Sequence, residues 1–279
     1  MTALDCLAKD LFRGKTVFIT GGGSGINLGI ARTFARLGAN VAICGRTQEK
    51  LDRATEELRA LGARVVAQAA DVRDFVALER AFQRTRSELG EINVLICGAA
   101  GNFPVRAEKL SPNGFKTVID IDVLGSFNAA RAAFTQLKTT RGCVIFISAG
   151  MAYVPFPYQV HVGAAKAAID QMMKILALEW GPHGVRCNSI VPGPIEGTEG
   201  VKRLGGDAWA AQRDRTIPLG RYGTTDDIGQ AAAFLASPLA QYVTGTVLVV
   251  DGGQNLTGSQ GFGMAIESTG VLDAERVKS

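Results

Sequence analysis

The segment QVHVGAAKAAID, Gln159 to Asp170, sets a single lysine, Lys166, among small and apolar residues at the start of a helical stretch. Such a cation is either a surface group or one that holds hydroxyls and developing negative charge in a cleft. A second chemical signal lies upstream. TVFITGGGSGINLGIARTFARLG runs from an apolar strand through Gly21, Gly22, Gly23 and Gly25 into a helix. Glycines permit the tight turn and let a pyrophosphate approach the backbone, and the helix amino terminus offers unpaired N–H groups and a positive dipole. Gly21, Gly23, Ser24, Gly25 and Ile26 therefore form a candidate dinucleotide cradle. Asn27 stands where the pattern T-G-x-x-x-G-x-G wants its last glycine, so a side chain sits where a cofactor passes or where the helix packs on the sheet.

The end of the next strand decides which dinucleotide. An NAD site places a carboxylate there for the ribose hydroxyls, whereas this chain reads CGRT, with Arg46 after Gly45. The planar fork of Arg46 suits a 2′-phosphate, which favours NADP(H). Asp71 and Val72, at the end of the third strand, then border the adenine.

These residues need a scaffold, and the sequence supplies one. Apolar runs TVFIT, NVAIC, RVVAQAAD, INVLICG, CVIFIS, RCNSIVP and TVLVVDGG alternate with helical stretches, among them Ile26 to Leu37, Gln48 to Leu61, Phe75 to Leu89 and a long one from Asn113 to Lys138. The strands read as continuous rather than alternating apolar runs, as expected when helices cover both faces of a parallel sheet. The fold class is α/β, a Rossmann-type doubly wound parallel sheet of about seven strands. At 279 residues and 47% hydrophobic, the chain can bury a full core, and residues 1–279 are expected to form one domain. No apolar run is long enough to cross a bilayer, and MTALDCLAKDLFRGK lacks a secretory apolar core, so no membrane partner is expected. A spread net charge of +4 argues against nucleic acid. Cys44, Cys97, Cys143 and Cys187 fall in strand-like runs, which predicts reduced, buried thiols and no metal site.

The glycine loop, AADV, the Lys166 helix, NSIVPGPI, IPLGRYGTTDDI and FLASPLAQYVTGTVLVVDGG together resemble the short-chain dehydrogenases/reductases over nearly the whole chain. Within that superfamily AAGNF, FKTVIDID, QVH and PGPIEGTEGVKRLGG are most similar to the 2,4-dienoyl-CoA reductases, particularly the peroxisomal type. The resemblance implies NADPH-dependent reduction of a conjugated dienoyl thioester, hydride going to the far end of the diene and a proton to the carbon beside the thioester carbonyl. Much of the superfamily uses a tyrosine one turn before the lysine; here that position is Val162. The usual serine is Ala149, with Ser148 one residue early, and the asparagine of the preceding long helix is Asp122. Those losses would cripple a ketone reductase, whereas ene reduction needs oriented hydrogen bonds for an enolate and a proton source near its α carbon.

On this resemblance Lys166 holds the nicotinamide ribose and lends positive potential to the enolate. Asp122 either orients or delivers the proton or only pairs with Lys166. His161 is a proton relay or a packing histidine, and Tyr153 and Tyr158 are displaced phenols or loop residues. Ala99 borders the cofactor, Pro192 and Gly193 shape the turn under the nicotinamide, and the Ile195 backbone meets its carboxamide. Asn102 is a donor to the thioester oxygen and Phe103 a wall of the acyl tunnel. Residues 194–217 read as a helical substrate lid whose Lys202 and Arg203 meet the phosphates of an acyl-CoA. TTDDI reads as a helix cap, and family members use the helix after it and the last strand to build a homotetramer. The tail, 258–279, ends VKS, which is not an S-K-L-type signal, so a cytoplasmic location is expected. Two other readings stay open: a carbonyl reductase that recruits Tyr153 or Tyr158, and a catalytically silent NADP(H)-binding sensor or scaffold.

Overall fold

The computed structural model describes residues 6–199 and 216–259. Seven strands, β1 (Thr16–Thr20), β2 (Asn40–Gly45), β3 (Val65–Ala69), β4 (Ile92–Cys97), β5 (Cys143–Ile147), β6 (Arg186–Pro192) and β7 (Val247–Val250), pair in parallel in the order β3-β2-β1-β4-β5-β6-β7. All five residues of β1 are buried, because both sheet faces are covered. Val17 and Ile19 point into one apolar layer, with α1 (Gly25–Arg36), α2 (Gln48–Ala60) and α7 (Thr225–Ala236). Phe18 points into the other and stacks on Phe82 of α3 (Phe75–Leu89), ring centroids 4.2 Å apart. That second layer is completed by α5 (Gly125–Thr140) and α6 (Val160–Trp180).

The chain winds outward from β1 through β2 to β3, then returns to place β4 on the other side of β1. Loops leaving β1 and β4 therefore diverge and open a crevice at the carboxyl edge. Local signals agree with the elements. Asp74 caps α3 by accepting from the Ala77 N–H, and Ser111 caps α4 (Pro112–Ile119) by accepting from Gly114. Thr224 and Asp227 close the expected capping box at the start of α7. The four cysteines of the strands are buried and unpaired, and burial pushes Cys44 and Cys187 up to about 12 and Cys143 up to about 11. Among the described residues no helix is long and apolar enough to cross a membrane, and no group of metal-ligating side chains occurs.

The expected single helix from Asn113 to Lys138 is a correction. It is three pieces: α4, a π-turn over Asp120–Leu124, and α5. A π-turn inserts one extra residue into the helical path, and such turns concentrate at functional sites. Here it buries Asp122 completely.

Candidate active site

The carboxyl ends of β1, β4, β5 and β6 open on a cavity of about 760 Å³ that reaches from Ser24 to Lys166 and on to Pro192 and Asn255. Lys166 is 6% exposed and lines it. Its Nζ donates to the Ile147 carbonyl at 3.1 Å and faces Asp122 Oδ2 at 3.0 Å. An ammonium has three donors, so one remains for the cavity. The other oxygen of Asp122 accepts from the Gly101 N–H at 2.6 Å. Asp122 thus clamps Lys166 from behind and fixes the loop after β4 in the same contact, without itself forming part of the cavity wall. The π-turn makes this possible, because it aims the carboxylate at the α6 lysine. Of the two roles open for Asp122, the placement fits positioning.

A second carboxyl lies behind Lys166. Asp170, one helical turn further along α6, is buried, and burial pushes its carboxyl above the ordinary value of 3.8. The hydroxyls of Ser189 and Ser148 and the charges of Lys166 and Lys174 oppose that shift. Sequence reasoning missed this residue, although the i, i+4 spacing from Lys166 was there to be read.

Asn27 finds its place here. Its Nδ2 donates to the Gly98 carbonyl at 2.8 Å and reaches the Gly21 carbonyl at 3.4 Å, tying α1 to the end of β4. A Cβ on Gly98 would stand 2.1 Å from Asn27 Oδ1. The side chain gained in the first turn of α1 therefore occupies room that a glycine leaves open just after β4. Asn27 packs against the sheet instead of blocking the crevice, and its Oδ1 lies buried without a protein partner at the cavity wall. An orphaned acceptor beside a glycine turn, in the same cavity as a lysine with a spare donor, fits a dinucleotide with ribose hydroxyls to donate and to accept. Thr20 Oγ1 secures the same corner by accepting from the N–H groups of Gly98 and Ala99 at 3.0 and 3.2 Å.

Arg46 is exposed at the end of β2, and its charge helps hold the Asp71 carboxyl low. The larger cause is Arg73, whose guanidinium bonds Asp71 Oδ2 at 2.6 Å. Arg46 thus stands at the end of β2, where an NAD site keeps a free carboxylate, while Arg73 pairs with Asp71 beyond the neighbouring β3. Val72 is buried against Gly125, and its carbonyl accepts from Asn128 of α5 at 3.1 Å. At the opposite rim the Gly193 N–H donates to Val250, and a Cβ on Gly193 would stand 2.6 Å from the Asp251 Cα, so β6 and β7 meet there without room for a side chain. Ile195 forms a parallel bridge with Gly223 that fixes its backbone beside the cavity. Asp251 lines the same wall and accepts from the N–H groups of Gly253 and Asn255, a residue that pattern reading passed over as part of a strand end.

Val162 and Ala149 both line the cavity, so its wall is apolar at the two positions where a carbonyl reductase keeps a phenol and a hydroxyl. Tyr158 does not compensate. It is 54% exposed, adopts the left-handed conformation with φ 67°, and lies 5.8 Å from the Arg106 guanidinium, beside a separate groove. Tyr153 is exposed, with its hydroxyl accepting from Asn255 at 3.4 Å. His161 is fully buried, its ring 4.4 Å from that of Phe103. Burial lowers its pKa below 6.5, which leaves a neutral packing imidazole at pH 7. Phe103 therefore leans at 47° against His161 of α6 and does not line the cavity, whereas Asn102 does. Lys202 and Arg203, and most of the 194–217 lid, lie outside the described residues, as does the tail beyond Ser259.

The family model described as enoyl-(acyl carrier protein) reductase matches residues 21–255. The chain belongs to the short-chain dehydrogenase/reductase superfamily. Among curated members, the peroxisomal 2,4-dienoyl-CoA reductase of Saccharomyces cerevisiae is 46% identical over 88% of this chain and 85% of its own length. The (3E)-enoyl-CoA-producing enzyme of Rattus norvegicus is 43% identical over 94% of each. A probable (2E)-enoyl-CoA-producing reductase of Bacillus subtilis is 38% identical over 86% of this chain and 96% of its own. The solved gluconate 5-dehydrogenase of Burkholderia cenocepacia, in complex with NADP and tartrate, superposes with a TM-score of 0.83 at 28% identity, covering 91% of this chain and 99% of that one. As a superfamily member this chain is an oxidoreductase that binds a nicotinamide cofactor, and its glycine loop, Asn27, Lys166 and Ile195 line one cavity.

Proposed function

We propose that the protein is an NADPH-dependent 2,4-dienoyl-CoA reductase. The observation that carries this reading is the apolar wall at Val162 and Ala149 beside the clamped Lys166. A ketone reduced there would leave an alkoxide without a phenol to protonate it. A dienoyl thioester places its developing charge on the thioester oxygen, away from the carbon that receives hydride. The 2,4-dienoyl-CoA reductases among its relatives support the same reading.

A bound NADPH supplies the hydride. The β1–α1 loop holds its pyrophosphate, Arg46 its 2′-phosphate, and the free donor of Lys166 its ribose hydroxyls. With hydride supplied to the distal diene carbon, the π electrons would shift toward the thioester, and Asn102 would donate to the enolate oxygen. The positive potential of Lys166 stabilises that charge from behind. A solvent water entering at the Lys166 end of the cavity would give its proton to the carbon beside the thioester, its hydroxide returning to bulk water, which leaves a 3-enoyl product. Asp122 positions Lys166 throughout. The whole chain acts as one domain, with residues 194–217 as its lid. Exposed apolar side chains on the π-turn, α5 and α6, among them Leu124, Phe127 and Leu178, support assembly into a homotetramer.

The test is NADPH oxidation with a short 2,4-dienoyl-CoA and with a panel of ketones. Turnover of the thioester, slowed at least a hundredfold by Lys166→Ala, and a preference for NADPH over NADH that Arg46→Ala erases, are expected. Turnover of ketones, or of no substrate by a protein that binds NADPH, overturns the assignment.

A further inference from the structure

The side of α6 that packs on the sheet is apolar along Ile169, Met173 and Leu176, and one carboxyl interrupts it. Asp170 is 7% exposed and meets β6 and the exit of β5 there. In the parallel register Phe146 of β5 stands opposite Ser189 of β6. Side chains two apart on a strand share a face, so Ser148 and Ser189 both turn with Phe146 toward the layer that α6 covers. Both serines are buried. No hydrogen bond of full geometry joins Asp170 Oδ1 to either Oγ, and neither Oγ has another partner. The two hydroxyls nonetheless act on the carboxyl, opposing the rise that burial gives its pKa.

For folding alone a leucine, branched at the same carbon, would continue the apolar stripe and bury no carboxyl. What the carboxyl can do follows from the neighbours of Ser148. The residue before it, Ile147, gives Lys166 Nζ its backbone acceptor at 3.1 Å. The residue after it, Ala149, belongs to the apolar wall of the cavity. The Ser148 N–H donates to the Ile190 carbonyl at 2.8 Å, so the whole exit of β5 is tied to β6. We propose that Asp170 is a positioning residue: it gathers the Ser148 and Ser189 hydroxyls under α6, fixes the exit of β5, and so keeps the Ile147 carbonyl where Lys166 needs it. Asp122 and Asp170 then act on the lysine by different routes. Asp122 meets the ammonium directly, and Asp170 works through the strand end on which the ammonium rests. A lysine released from Ile147 would no longer aim its spare donor in one direction. This inference rests on the reading of Lys166 as the working cation of the site.

The experiment takes Asp170→Leu, Asp170→Asn, Ser148→Ala and the double variant Asp170→Leu/Ser148→Ala, and measures NADPH binding by cofactor fluorescence, kcat and KM with a short 2,4-dienoyl-CoA, and the melting temperature of the unliganded protein. Asp170→Leu should weaken NADPH binding roughly tenfold and lower kcat by a similar factor, with the KM of the thioester within about twofold of wild type. Its melting temperature should stay within about 2 °C, since relief from burying a carboxyl offsets the lost hydroxyl contacts. Asp170→Asn still offers an oxygen to both serines and should keep most of the binding and the rate. Ser148→Ala alone should reproduce the loss, and the double variant should lose no more than Asp170→Leu, because both changes break one chain of contacts. Should Asp170→Leu fail to fold, Ser148→Ala and Asp170→Asn carry the test. Wild-type binding and rate in Ser148→Ala, losses that multiply in the double variant, or Asp170→Asn as damaged as Asp170→Leu each overturn the assignment. NADPH binding that depends on Asp170 in a protein that reduces no dienoyl thioester would support the positioning role and sink the reductase reading, so the two failures are told apart.

Discussion

Two charge clusters of this protein have similar distances and opposite surroundings. At the start of α7, Arg221 grips Asp227 at 2.8 and 3.0 Å, Asp227 accepts from the Thr224 N–H, and the whole group sits within a few residues at the surface. In the site, Asp122 and Lys166 meet at 3.0 Å, but they come from distant segments, and the carboxylate has no solvent exposure. The surface cluster is a local device: it ends a loop, starts a helix and is screened by water. The buried pair holds two ions out of water, where attraction seldom exceeds desolvation, and an apolar pair of the same volume would serve folding as well. Its value lies in presenting one oriented cation to a cavity.

The strongest way to break this contrast is Lys166→Ala. It leaves Asp122 buried and uncompensated, and should cost about 3–5 kcal/mol in urea unfolding, whereas replacing both members by apolar residues should recover most of that stability without activity. A loss below about 1 kcal/mol would place the buried pair in the same class as the surface one. A smaller effect tests the polar wiring beside it. Gly98→Ala forces the Asn27 side chain aside and should cost about 1–3 kcal/mol, seen as weaker NADPH binding by cofactor fluorescence, and Asn27→Gly in the same chain should restore it. If the double variant binds no better than Gly98→Ala, Asn27 and Gly98 are not a matched pair.

The smallest effect belongs to the surface. Asp227→Asn should cost about 1 kcal/mol at neutral pH. The Arg221 guanidinium holds the Asp227 carboxyl down at about 2, against an ordinary value of 3.8. Its contribution is therefore present above pH 3.8 and is lost as pH falls through about 2. Unfolding followed along an acid series should show the wild type losing its advantage over Asp227→Asn across that window; parallel curves would contradict it.

What could be read from the sequence divides along the same line. The seven parallel strands, the glycine turn after β1, the helix cap and the buried thiols follow from period and local chemistry, and the place of Arg46 from its position at one strand end. The buried wiring did not follow. The exchange between Asn27 and Gly98 joins the first turn of α1 to the loop after β4, and that proximity exists only once β4 lies beside β1. Position along the chain places Phe103 and Tyr158 near the site but says nothing of the direction either side chain takes, least of all from the left-handed backbone of Tyr158.

The π-turn over Asp120–Leu124 also acts as a phase break. One extra residue rotates everything after it by about 100° relative to an uninterrupted helix. Val118 before the break packs with Val162 and Ala165 on the substrate side, while Ala129, Ala133 and Leu137 after it face the sheet and α3. The two faces are set by different parts of the sequence, so the reactive end of the helix can be retuned without disturbing the seat of its other end.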